Sequence, residues 1–295
     1  MNVICDISTR LLKEGDGYAV EVMGSDLPDI DKTFDCGQCF RFEKVNNSRH
    51  ESEWRGVAFG REVSFAKEDN RLYVYGSDEG EFESIWRKYL DLDTDYLAID
   101  KDILSRSDSD ALKNAVSYGH GIRILRQDPW EAVCSFIISQ NNNIPRIKKI
   151  IKALCERAGE RIDGTDEFSF PSPEAVKNLG VDGLFELKTG FRAKYIYDGA
   201  SRVSEGDVDL SKLFNLPTGV ASEQLCRIKG VGPKVAACAL LFGFGKYDSF
   251  PVDVWIKKAI EKYFPGEFDP QRLGAYAGVA QQYLFYYERY LGGQD

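Results

Sequence analysis

The chain has 295 residues, 43% of them hydrophobic, and a formal net charge of −9. That length suits one large domain or about two to three smaller ones with proper cores. The overall acidity excludes a generic polycationic coat for nucleic acid. With no basic-plus-apolar leader at the amino end and no apolar run long enough to span a bilayer, the sequence predicts a soluble intracellular protein. The expected compartment is the cytoplasm or nucleoid, or the nucleus if the source is eukaryotic. The seven cysteines, at 5, 36, 39, 134, 155, 226 and 238, are odd in number and mostly sit in apolar runs, as small core residues of a reducing compartment do. Cys36-Gly-Gln-Cys39 has the C-x-x-C form but no second pair or nearby histidine, which argues against zinc. With only His50 and His120, histidine-based metal or triad chemistry is poorly supplied.

Charge is unevenly divided. Residues 1–110 hold 14 Lys and Arg against 25 Asp and Glu, whereas residues 111–295 hold 24 against 22. Any DNA-facing surface must therefore lie mainly in the second part and rest on local clusters and backbone amides. In chain order, Tyr18–Val22, Phe40–Val45, Trp54–Phe59, Val63–Phe65 and Leu72–Tyr75 alternate as short strands of an antiparallel sheet. Glu81–Tyr89 turns helical. Asp91–Asp110, acidic and serine-rich, reads as a solvated connection around a short helix. From Ala111 the pattern is helical almost throughout, with candidates at Trp130–Ser139, Pro145–Ala158, Pro173–Leu179, Phe191–Ser204, Ser222–Ile228, Pro233–Gly243, Val254–Tyr263 and Gln271–Tyr290. No internal repeat or low-complexity tract is visible. The expected fold class is α+β: a small antiparallel sheet domain over residues 1–110 with a linking helix, on an all-helical body over residues 111–295.

The most informative stretch is Leu225 to Lys258. Gly230-Val231-Gly232 makes a turn in which glycine takes positive φ cheaply. Pro233 suits the first position of a new helix. Together they read as helix, hairpin, helix, at about residues 222–245. A glycine turn feeding a helix start presents backbone N–H groups and the positive dipole end, which favour a phosphate. Lys234 lies in that first turn, where a cation is disfavoured and its ammonium should lose a proton more easily than the unperturbed value of about 10.4 implies. Asp253 follows within Pro251-Val252-Asp253-Val254. Taken singly, the hairpin could be an ordinary interhelical turn, Lys234 a solvated lysine, and Asp253 the N-cap of the next helix. The combination resembles the helix-hairpin-helix-Gly-Pro-Asp DNA glycosylases, whose bifunctional members carry a lysine just after the hairpin and an aspartate at this distance.

Three further stretches extend the resemblance. Ser139-Gln140-Asn141-Asn142-Asn143-Ile144-Pro145-Arg146 reads blandly as a capped turn into a helix. It is also similar to the asparagine-rich loop of the 8-oxoguanine DNA glycosylases. There the first asparagine fills the gap left by the flipped nucleotide and the arginine reads the estranged cytosine, roles that fall on Asn141 and Arg146. Gly190-Phe191-Arg192 reads blandly as a turn into an amphipathic helix. By resemblance Phe191 is a ring wedge, where the family usually places tyrosine, and Arg192 a second cytosine-reading arginine. Extruding a nucleotide costs a few kcal/mol of stacking, so something must fill the hole. Gly37-Gln38-Cys39-Phe40-Arg41 resembles the family's G-Q-x-F-R segment, and Gly278 to Phe285 its final helix. The resemblance implies that the Gly37 carbonyl accepts N7–H of the damaged base, that Gln281 reads its Watson–Crick edge, and that Cys238 and Phe285 sandwich it. Without the resemblance, Gly37 reads as a strand-edge glycine and Phe285 as a core aromatic.

Two departures matter. Trp255 stands where the family has a phosphate-contacting histidine. No terminal group of four cysteines follows the last helix, which sets aside the iron–sulfur branch. The function implied is excision of 8-oxoguanine opposite cytosine from double-stranded DNA, with Lys234 as nucleophile and Asp253 as electrostatic partner, followed by β-elimination. Gly230 and Gly232 would grip phosphate with the hairpin amides. No organic cofactor is implied. An alkali or divalent ion at the carbonyls of Cys226, Ile228 and Val231 is an optional addition, and a monomer is expected. Two rivals stay open at this point: an alkylated-purine glycosylase of the same fold, and a non-catalytic hairpin module that binds distorted DNA.

Overall fold

In the computed structural model, which describes residues 7–14, 17–264, 266 and 268–291, the alternating runs build one six-stranded antiparallel sheet. Its strands are β1 (Ser8–Glu14), β2 (Gly17–Met23), β3 (Phe42–Lys44), β4 (Ser52–Ala58), β5 (Arg61–Glu68) and β6 (Arg71–Tyr75), in spatial order β1-β2-β6-β5-β4-β3. Register follows the pleat: Trp54 faces Phe65, and Phe65 faces Val74. The first strand, Ser8–Glu14, had no counterpart among the predicted runs.

One face of the sheet is covered by α1 (Ile30–Asp35) and by α2, which runs from Glu79–Glu81 through a π-helical stretch Phe82–Trp86 to Arg87–Tyr89. The core between them is aromatic. Phe34 packs on Phe42 at a ring separation of 4.6 Å and on Phe65 at 5.4 Å, and Phe65 meets Trp86 edge-on at 5.7 Å. Strand β3 is shorter than the predicted Phe40–Val45. Phe40 leaves the sheet and packs edge-on against Phe136 in the helical body, at 5.8 Å.

The body is helical: α3 (Tyr96–Ser105), α4 (Asp110–Gly119), α5 (Pro129–Ser139), α6 (Ile144–Ala158), α7 (Pro173–Asn178), α8 (Gly180–Glu186), α9 (Ala193–Ser204), α10 (Leu210–Leu213), α11 (Thr218–Leu225), α12 (Pro233–Phe244), α13 (Val254–Tyr263) and α14 (Ala277–Tyr290). Three expectations need correction. The acidic segment after residue 91 carries the expected helix but is not merely solvated: α3 buries Tyr96, Ile99 and Ile103 in the main core, and the Tyr96 hydroxyl donates to Asp91 at 2.8 Å. Apolar residues three and four apart outweighed the surrounding acids. Helix α11 runs Thr218–Leu225, earlier than Ser222–Ile228, because Cys226 to Gly230 is spent on the turn. The expected long last helix is broken at Gly274 (φ 71°, ψ −147°), so a 3₁₀ segment Pro270–Tyr276 precedes α14.

Helix α12, predicted as buried, lies at the centre and packs closely on α5. Cys36, Cys39, Cys134, Cys155 and Cys238 are buried as expected, whereas Cys226 is exposed, and Cys5 lies outside the described residues.

Candidate active site

A cavity of about 800 Å³ opens where the amino ends of α12 and α13, the asparagine turn before α6, the loop after α1 and helix α14 converge. Gly37, Asn141, Gly232, Lys234, Asp253 and Phe285 all line it, although they are scattered over most of the chain. Both helix starts carry a positive dipole end towards this space.

The hairpin forms as its glycines require. Gly230 has φ 78°, and the N–H of Val231 closes the turn on the carbonyl of Ile228 at 3.0 Å. Gly232 is the extended N-cap of α12 and carries no side-chain cap, so the first N–H groups of that helix are not taken by one. Tyr195 packs under Gly230, and Asp198 braces the turn by accepting from the backbone N–H of Lys229 at 2.7 Å and from Arg202 at 2.9 Å.

At the start of α12, Lys234 and Cys238 stand four residues apart, on the same face of the helix. Burial pushes the Cys238 thiol up to about 11, against the pull of the Lys234 amine, so it stays protonated at neutral pH. Asp253 caps α13, accepting from the N–H groups of Trp255 at 3.0 Å and Ile256 at 2.8 Å. The cap fixes the carboxylate at the mouth of the cavity. Trp255 and Lys257 also line the cavity, and the Lys258 ammonium lies 4.8 Å from the Trp255 ring centroid.

On the opposite wall, Gly37 (φ 76°) follows the C-cap of α1 in a loop, not a strand edge. A Cβ there would sit 3.6 Å from the ring of Phe285. Gln281, one turn before Phe285 on α14, is only 4% exposed, and its Oε1 has no partner among the described residues. Gln281 and Cys238 lie behind the cavity surface and do not line it.

The asparagine turn is bound from beneath. Asn141 is exposed with φ 47°, Asn142 donates to the Ile138 carbonyl at 3.1 Å, and Asn143 caps α6 through the Arg146 N–H at 3.0 Å. Arg146 is exposed and touches the Lys188 carbonyl at 3.3 Å. Arg192 is 3% exposed, not solvent-facing as a base reader would be. Its guanidinium donates to the carbonyls of Gln140, Asn141 and Thr189, and its proton affinity is lowered by burial and then by Arg146. Phe191 beside it is 52% exposed and meets Tyr195 edge-on at 5.8 Å.

Several residues of this arrangement escaped sequence reasoning. Gln38, Gln127 and Gln282 are buried and hold the loop around Gly37. The Gln281-Gln282 pair was the available signal, because neighbours on a helix point about 100° apart and both cannot face one ligand. Among the described residues no group of three or more His, Cys, Asp or Glu is arranged to hold a metal, and no helix is long and apolar enough to cross a membrane.

Comparison with known proteins adds the family. Residues 23–133 match the amino-terminal domain of 8-oxoguanine DNA glycosylase, and residues 134–273 match the HhH-GPD superfamily of base excision DNA repair proteins. A probable N-glycosylase/DNA lyase of Methanothermobacter thermautotrophicus is 31% identical over 215 residues, covering 62% of this chain and 69% of that one. The 8-oxoguanine glycosylase/lyase of Clostridium acetobutylicum, solved with double-stranded DNA containing cytosine opposite 8-oxoG, superposes with a TM-score of 0.87 at 37% identity. That match covers 97% of this chain and 99% of the other. A protein called MBOgg1, solved with a low-affinity DNA ligand, gives the same TM-score at 39% identity and the same coverage.

Proposed function

The chain belongs to the HhH-GPD superfamily of base excision DNA repair proteins, with an amino-terminal domain of the 8-oxoguanine DNA glycosylase type, and we propose that it is a bifunctional 8-oxoguanine DNA glycosylase and lyase acting on double-stranded DNA. The observation that carries this reading is the convergence of Lys234 and Asp253 from two helix starts on one cavity whose far wall is Gly37 and Phe285.

The hairpin amides at Gly230 and Gly232 grip backbone phosphate of the damaged strand, and the nucleotide turns out into the cavity. Asn141, exposed at the tip of its turn, fills the vacated stack; Phe191 wedges between neighbouring pairs. Arg146 reads the estranged cytosine directly. Arg192 can do so only by leaving carbonyls it now holds, so its first task is to brace the turn that carries Asn141.

The extruded base lies between Phe285 and the Cys238 side of α12. Its N7–H donates to the Gly37 carbonyl, where normal guanine would oppose a lone pair with a lone pair. Its N1–H and amino group meet the unpartnered oxygen of Gln281 once the base displaces the side chains that now separate Gln281 from the cavity. The unprotonated amine of Lys234 then attacks C1′, the C1′–N9 bond breaks, and the base leaves with the electron pair. The Asp253 carboxylate opposes the positive charge building on the sugar. The lysine nitrogen then expels O4′, which takes up a proton as the sugar ring opens to a Schiff base at C1′; this acidifies the C2′ protons, and loss of one expels the 3′ phosphate.

An ion at the carbonyls of Cys226, Ile228 and Val231 fits the turn, since the Ile228 oxygen keeps a lone pair beyond the Val231 N–H. It would add positive charge beneath the phosphate. A melting temperature that rises with potassium or magnesium, but not with choline at equal ionic strength, tests it.

The test of the whole reading is borohydride trapping on a duplex with one 8-oxoguanine opposite cytosine, with wild type and Lys234→Gln beside an undamaged duplex. A covalent adduct with wild type on damaged DNA alone is expected. Base release without an adduct would make the enzyme monofunctional, and binding without release would make it a non-catalytic module.

A further inference from the structure

The Gly37 turn is held by its neighbours' carbonyls. The Cys36 carbonyl accepts from Gln282 Nε2 at 2.7 Å, across 246 residues of sequence. The Gln38 carbonyl accepts from Gln127 Nε2, also at 2.7 Å. The Gln38 side chain is fully buried and bonds to the carbonyls of Thr33 (2.9 Å) and Arg123 (2.8 Å) and to the N–H of Leu125 (2.9 Å). Between these two occupied carbonyls, that of Gly37 has no partner among the described residues, and Gly37 lines the cavity. Gln282 is 2% exposed and Gln127 is 8% exposed, so both bonds form in a dry setting where a lost donor is costly.

We infer that Gln282 and Gln127 are positioning residues for lesion discrimination: by pinning the carbonyls on either side, they aim the Gly37 carbonyl at the base. This rests on the reading of Gly37 given above. The geometry explains why the positioning must come from outside the loop. A glycine in the left-handed region has little steric preference of its own, so the peptide planes around it rotate freely unless bonded. Gln282 sits one residue from Gln281 and three from Phe285 on α14. The same helix that supplies two walls of the base pocket therefore also sets the angle of the third contact. A slip of α14 would move all three together and keep their mutual geometry, whereas loss of the Gln282 bond would misalign only Gly37.

The consequence separates base recognition from strand chemistry. An abasic site presents C1′ to Lys234 but no base to Gly37. Gln282→Met keeps the volume and removes the donor. It is expected to lower kcat/KM for 8-oxoguanine excision at least tenfold while cleavage of an abasic-site duplex stays within twofold of wild type. Gln127→Met, acting from a different segment on the other carbonyl, should give the same split. It serves as the second probe if the first variant does not fold. Equal losses on both duplexes, or no loss on either, would overturn the proposal. Failure of the underlying reading looks different: wild type itself would not prefer the 8-oxoguanine duplex over an undamaged one.

Discussion

The ring of Tyr195 occupies the space beside Gly230 into which any other residue would project its Cβ. The hairpin is thus set both by the left-handed backbone at 230 and by an aromatic floor from α9. Gly230→Ala must displace that ring and also bears a backbone cost of about 1–2 kcal/mol for a Cβ at positive φ. A lower melting temperature and at least a tenfold loss of affinity for duplex DNA, damaged or not, are expected by calorimetry and fluorescence anisotropy. Adding Tyr195→Ala should return part of the stability, because it relieves the clash but not the backbone strain. Wild-type affinity in Gly230→Ala would show that the hairpin does not hold the phosphate.

Asp253 caps α13, its proposed electrostatic role is a second task, and two substitutions separate the two. Asparagine caps a helix about as well as aspartate, so Asp253→Asn should keep the melting temperature while slowing excision by roughly a hundredfold, in the range of a lost electrostatic partner. Asp253→Ala should show the same slow excision and in addition lose about 1 kcal/mol of stability. Single-turnover excision and thermal denaturation of both variants check this. An unaltered rate in Asp253→Asn would remove its carboxylate from the chemistry.

Gly37→Ala has room for its methyl group but the wrong backbone, since φ is 76°. The methyl also points at the Phe285 ring, where the base is to lie. Excision of 8-oxoguanine should fall by two orders of magnitude or more, with abasic-site cleavage much less affected. Comparable losses on the two duplexes would mean that Gly37 matters only for folding.

Arg41, in the same loop, donates to the carbonyl of Phe168 and pairs with the nearly buried Glu131 at 3.5 Å. Burial raises the Glu131 carboxyl from 4.5 to about 7, only partly opposed by Arg41. The folded protein therefore keeps a proton that the unfolded chain releases above about 4.5. This contribution to stability is intact below that pH and is lost as pH rises through about 7, a total of about 3 kcal/mol. Glu131→Gln removes the titration, so its stability relative to wild type should rise between pH 5 and about pH 7 and then level off in urea denaturation. Parallel pH curves would contradict the shift.

What was legible in the sequence was legible for local reasons. Gly230, Pro233 and Asp253 announce a turn, a helix start and a cap by residue type alone, and Val254–Tyr263 began and ended where expected. The alternating strands could be read because one pleated face is polar. Strand β1 could not be, since Leu11 and Leu12 sit among charged residues and its place at the sheet edge is fixed by pairing with β2. Arg192 shows the other limit. A motif locates it beside the proposed wedge Phe191, but only the tertiary structure reveals that its guanidinium is already engaged by the carbonyls of Gln140 and Asn141. For Gln282 the sequence offered only its place beside Gln281, because its partner, Cys36, lies at the far end of the chain.

The lone oxygen of Gln281 sets robustness against work. A buried acceptor without a donor costs roughly 1–3 kcal/mol, a deficit that the proposed contact with the base would relieve. Gln281→Met should melt a few degrees higher than wild type and excise poorly. A higher melting temperature together with slower excision in that variant would show stability traded for recognition at this position.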